Sequence, residues 1–93
     1  MNLKISFSKE ADRFLRKNAA LITEADAEDA IIAAVKKILK LEDTNINVKK
    51  LKGKYRGYFR VRRGDVRIVF SLIKDSIVTV IVNDIDFRGN IYK

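Results

Sequence analysis

The sequence predicts an α+β fold: an N-terminal strand, a two-helix hairpin, then a three-stranded antiparallel meander, with both helices packed on one face of a four-stranded sheet. Three changes of pattern carry this. Apolar and polar residues alternate from Leu3 to Phe7, apolar residues recur at helical spacing from Ala27 to Leu41, and the period returns to two from Tyr58 onward. The 93 residues suffice for one core, so residues 1–93 are expected to form a single domain.

Each element has its own signals. Leu3, Ile5 and Phe7 alternate with Lys4 and Ser6, the pattern of a short half-buried strand. Ser8 stands at an N-cap position before a helical stretch from Lys9 to about Asn18, with Phe14 and Leu15 as core candidates. Thr23 and Asp26 have the spacing of a capping box, Asp replacing the usual Glu. Behind them Ala27, Ala30, Ile31, Ala34, Val35, Ile38 and Leu41 form one apolar stripe. Gly64-Asp65 reads as a two-residue hairpin turn between strands Tyr58–Arg63 and Val66–Ile73. A further turn at Lys74–Ser76 leads to a last strand, Ile77–Asn83.

Composition narrows the chemistry. Lys and Arg number 20 against 12 Asp and Glu, a net charge of +8, which predicts attraction to polyanions. Residues 49–67 alone hold nine of the cations and one carboxylate, Asp65. With no Cys, disulfides and thiolate zinc sites are excluded. With no His, the usual general base of neutral-pH ribonucleases and the Ser-His-Asp triad are excluded too. Any reaction must run on Lys, Arg, Tyr, Asp and Glu. No apolar run approaches the ~20 residues of a membrane span, and no signal-peptide h-region opens the chain. The expected location is therefore the cytoplasm.

Counting outward from Gly64-Asp65 pairs Arg63 with Val66, Arg62 with Arg67, Val61 with Ile68, Arg60 with Val69 and Phe59 with Phe70. Tyr58, Arg60, Arg62 and Arg67 then share an open face, and Phe59, Val61, Ile68 and Phe70 face the helices. Directly opposed arginines destabilise a sheet, so stability alone does not account for them. Guanidinium forks suit phosphate oxygens. Lys49, Lys50, Lys52 and Lys54 would extend the patch along a nucleic-acid strand, with Tyr55, Tyr58 or Tyr92 available to stack on bases.

Lys50-Leu51-Lys52-Gly53, the run Gly57-Tyr58-Phe59-Arg60-Val61-Arg62-Arg63-Gly64-Asp65-Val66-Arg67 and the close Arg88-Gly89-Asn90-Ile91-Tyr92-Lys93 together resemble the RelE/ParE toxin superfamily. The resemblance implies the toxin of a type II toxin–antitoxin pair. In its RelE branch this is a metal-independent, ribosome-dependent mRNA endoribonuclease, which promotes attack of a ribose 2′-OH on the adjacent phosphate and blocks translation. By position, the resemblance assigns catalysis to Arg60, Arg62, Arg67, Arg88 and Tyr92, and ribosomal-RNA contacts to Lys50 and Lys52; Lys49, Lys54 and Tyr58 join the RNA-binding candidates from the charged patch itself. It implies a cognate antitoxin, the ribosome and mRNA as partners, with no cofactor and no membrane. Active RelE-type relatives usually carry a Lys among the hairpin cations, where this chain has Arg60 and Arg62. Many carry His or another basic residue just before the Arg88 position, where this chain has Asp86 and Phe87. The same superfamily contains gyrase inhibitors of the ParE type, which need no catalytic set, and a catalytically silent RNA-binding relative is a third alternative.

Overall fold

The computed structural model describes residues 2–87. Its elements are β1 (Leu3–Phe7), α1 (Lys9–Lys17), α2 (Glu24–Ile38), β2 (Val48–Lys50), a 3-10 turn (Gly53–Tyr55), β3 (Tyr58–Arg63), β4 (Val66–Lys74) and β5 (Val78–Phe87). The sheet has five strands in the order β1-β5-β4-β3-β2, one more than the four expected. The additional strand, β2, is three residues long and pairs antiparallel with β3 at the sheet edge. β1 runs parallel to β5, while β3, β4 and β5 form the expected meander.

Helix ends follow the capping signals. Ser8 Oγ accepts from the Ala11 amide and opens α1. Thr23 and Asp26 make the reciprocal capping box: Thr23 Oγ1 accepts from the Asp26 amide at 3.1 Å, and Asp26 Oδ2 accepts from the Thr23 amide at 3.0 Å. These bonds satisfy donors a helix start leaves orphaned, and a cap of this kind contributes about 1 kcal/mol. The Thr23 amide, then its hydroxyl, hold the Asp26 carboxyl below the usual aspartate range, with Arg63 helping. Arg63 Nη2 donates to Asp26 Oδ1 at 3.2 Å, tying the end of β3 to the start of α2.

The apolar stripe of α2 is buried from Ala27 to Val35. Leu41, expected to continue it, is 60% exposed. The helix stops at Ile38, and Lys40 takes a left-handed φ of 58° that turns the chain away. Ala11, Leu15, Ile31 and Val35 share one core with Val61, Ile68, Phe70, Val80, Val82 and Ile85, so both helices cover the same sheet face. The ring of Phe70 stacks on that of Phe59 at 5.7 Å.

β5 runs through Phe87, the last described residue and four positions beyond the predicted boundary at Asn83. Its register with β4 jumps from Val69–Asp84 to Phe70–Val82, leaving Asn83 as an extra residue. Val82 and Ile85 are an odd number of positions apart, so a bulge is needed to keep both on the core face. The bulge is pinned to the start of α1. Ser8 N donates to Val82 O at 2.9 Å, and Ser8 Oγ donates to Asn83 O at 2.8 Å. Among the described residues, no helix is long and apolar enough to cross a membrane.

Candidate nucleic-acid interface

The β3–β4 register is the one obtained by counting from the turn. Tyr58 faces Ser71, Arg60 faces Val69, and Arg62 faces Arg67. Gly64 has φ 60° while Asp65 stays at negative φ, so glycine is needed only at the first turn position. On the neighbouring strands, Lys49 stands opposite Arg60 and Asp86 opposite Arg67.

These rows build a cleft of about 370 Å³ lined by Lys49, Lys50, Lys52, Arg60, Arg62 and Arg67, together with Leu51. Six of the seven lining residues are cationic and none is acidic. Val69, 3% exposed, is opposite Arg60 and separate from the helix-side core, so it underlies this face. The fold thus brings together six of the residues singled out in the sequence. Lys54 and Tyr58 do not line the cleft. Lys54 Nζ lies 5.4 Å from the ring centroid of Tyr55, in the 3-10 turn, and Tyr58 is half-buried in the row with Ser71. Arg88 and Tyr92 lie outside the described residues.

Arg60 occupies the predicted sheet face, but contrary to the expectation of an open surface the residue is only 6% exposed. The unforeseen strand β2 runs alongside it, and Arg60 Nη1 donates to Asn47 Oδ1 at 2.9 Å just before that strand. Arg60 N–H donors are therefore partly spent on fixing the guanidinium in place. Asn47 carried no signal in the sequence, because its role depends on a strand too short to show a period.

The β5 side of the face is acidic. Asp84 is in register with Val69, and Asp86 with Arg67. Burial, then the charge of Asp86, pushes the Asp84 carboxyl above the usual aspartate range; the Ile85 amide opposes this and Glu10 adds to it. A raised folded-state value means that stability from this group is present at low pH and is lost as pH rises through that value. Asp84→Asn should therefore stabilise the domain at pH 7, by a few tenths of a kcal/mol because the half-buried carboxyl is still partly screened by solvent. The difference should shrink as pH falls and be nearly gone by about pH 3, where aspartate is mostly protonated in both states. Urea unfolding of both proteins at the two pH values measures it. Among the described residues, no three Asp, Glu, His or Cys side chains converge to hold a metal ion.

No protein-family model matches the chain, and no curated protein matches its sequence. Solved structures do match. The toxin–antitoxin complex RelBE2 of Mycobacterium tuberculosis contains a chain 27% identical, with a TM-score of 0.67, covering 95% of this chain and 100% of that one. A YoeB/ParE toxin of Agrobacterium tumefaciens is 16% identical with a TM-score of 0.63, covering 91% and 98%. The RelB–RelE antitoxin–toxin complex of Methanococcus jannaschii gives 21%, 0.52, and coverage of 92% and 93%. The last two similarities speak for the fold alone. An α+β sheet of this order, matched almost end to end by such chains, is the RelE-like toxin fold, and this chain has it.

Proposed function

We propose that the chain is the toxin of a type II toxin–antitoxin pair, and that it cuts messenger RNA on the ribosome without a metal ion. The observation that carries this reading is the cleft: Arg60, Arg62 and Arg67 meet Lys49, Lys50 and Lys52 around one space with no acidic residue in its lining. Like charges are costly to gather. A phosphodiester in that space would offset the repulsion and supply acceptors for guanidinium donors.

In the reaction proposed, the ribose 2′-oxygen attacks the adjacent phosphorus and the bond to the 5′-oxygen breaks. The products are a 2′,3′-cyclic phosphate and a 5′-hydroxyl. Arg60, held by Asn47, and Arg67 grip the non-bridging oxygens as their charge grows. Arg62, opposite Arg67, stabilises the departing oxygen electrostatically, and water protonates it. Tyr92 is the general base in this reading and takes the 2′ proton. In the sequence Arg88 and Tyr92 follow β5, whose Asp86 stands opposite Arg67. An antitoxin segment bearing carboxylates would compete for the same cations, and the site of action would be the cytoplasm.

Inducing the chain without an antitoxin should stop amino-acid incorporation within minutes and leave cleaved mRNA with 5′-hydroxyl ends. Growth arrest with protein synthesis intact and a DNA-damage response would replace this reading with gyrase inhibition.

A further inference from the structure

The cationic cleft is flanked differently on its two sides. Toward β5 it meets Asp84 and Asp86, with Glu10 close enough to act on the charge of Asp84. Toward β2 the cations continue. A second depression of about 330 Å³ lies there, lined by Lys50, Leu51, Lys52, Gly53 and Arg56. Lys50, Leu51 and Lys52 line both spaces, so the two share a wall. Phosphates extending from the cleft would be repelled over β5 and attracted past β2.

The second depression differs in character from the first. Its cations are Lys50, Lys52 and Arg56, and Leu51 adds an apolar surface. A Cβ built on Gly53 would meet nothing within 4 Å, so the backbone there leaves open space. Its volume is at the lower end of ligand pockets, adequate for a single nucleotide. The methylene stems of Lys50 and Lys52 can cover a flat ring while their ammonium groups stay solvated.

We propose that this depression is a second nucleotide subsite for single-stranded RNA. Arg56 holds the phosphate next to the one in the cleft, and Leu51 with the lysine stems packs against the attached base or ribose. The proposal rests on the reading of the cleft as an RNA site and adds a direction: the strand leaves across the β2–β3 connection, away from β5.

Short RNAs test it, through amide NMR spectra and titrations of the full chain. UpU has one bridging phosphate and UpUpU has two. UpU should shift the amides of Arg62 and Arg67, whereas UpUpU should also shift those of Gly53 and Arg56 and bind at least about fivefold more tightly. Arg56→Gln should bring the ratio of the two affinities close to one. It should also lower the salt slope for UpUpU by about 0.7, the value for one single-strand phosphate contact. Arg13→Gln, an exposed change on α1, should keep the ratio. An unchanged ratio in Arg56→Gln, or equal shifts of Gly53 and Arg56 with penta-glutamate, would overturn the subsite while leaving the cleft as an RNA site. If neither RNA shifts Arg62 and Arg67, the RNA reading fails and the subsite with it.

Discussion

Arg67→Ala should slow RNA cleavage on programmed ribosomes by about 100- to 1,000-fold, the usual effect of removing one donor aimed at developing charge. Arg67 faces Arg62 directly across the β3–β4 ladder and lines the cleft with it. Two guanidinium groups in adjacent positions can bracket one phosphate, and neither alone reproduces that geometry. Stability should not fall with activity. Relief of the Arg62–Arg67 opposition is offset by loss of the Arg67–Asp86 pairing, so stability in urea unfolding should stay within about 1 kcal/mol of wild type. Arg67→Lys sharpens the experiment, since it keeps the charge and loses the fork. It should restore binding to free RNA better than it restores turnover. Full toxicity in Arg67→Ala at wild-type expression would remove Arg67 from the site.

Phe70→Ala should cost about 3–5 kcal/mol, the range for deleting a large buried aromatic. Phe70 is wholly buried at the centre of the sheet, with Phe59 beside it on β3 and Val82 beside it on β5. The loss combines transfer energy with a cavity that neighbouring strands cannot close without breaking their ladders. A domain of this length has a total stability of about 5–14 kcal/mol. The substitution therefore removes between about a fifth and all of it. Thermal melts followed by far-UV circular dichroism should show a drop of well over 10 °C or no cooperative transition. A melt within a few degrees of wild type would mean that this core can collapse around the vacancy.

Much of the fold was legible because its signals are local. Ser8, Thr23 and Asp26 announce helix starts through bonds to residues three positions away, and Gly64-Asp65 fixes the register of β3 and β4 by simple counting. What escaped was set by contacts distant in sequence. β2 has only Val48 as an apolar residue in three, and three residues cannot display a period. β5 was cut short because the Asn83 bulge breaks the alternation that defines a strand. In the cleft, alternation assigned Arg60 to the correct face but could not tell how deep that position lies, which β2 and Asn47 decide. Arg56 was passed over since its importance comes from sharing a depression with Lys50 and Lys52.

The parallel pairing of β1 with β5 has a consequence for when the protein can become active. Ser8 bonds to Asn83, 75 residues later, and β1 has its ladder partner in the last described strand. At ~5–20 residues per second, about 4–15 s of synthesis separate the two. During that interval the growing chain has an unpaired first strand and an unfinished sheet, and such long-range closure is slow in itself. A protein proposed to attack translation is thus assembled in an order that withholds its finished surface from the ribosome making it.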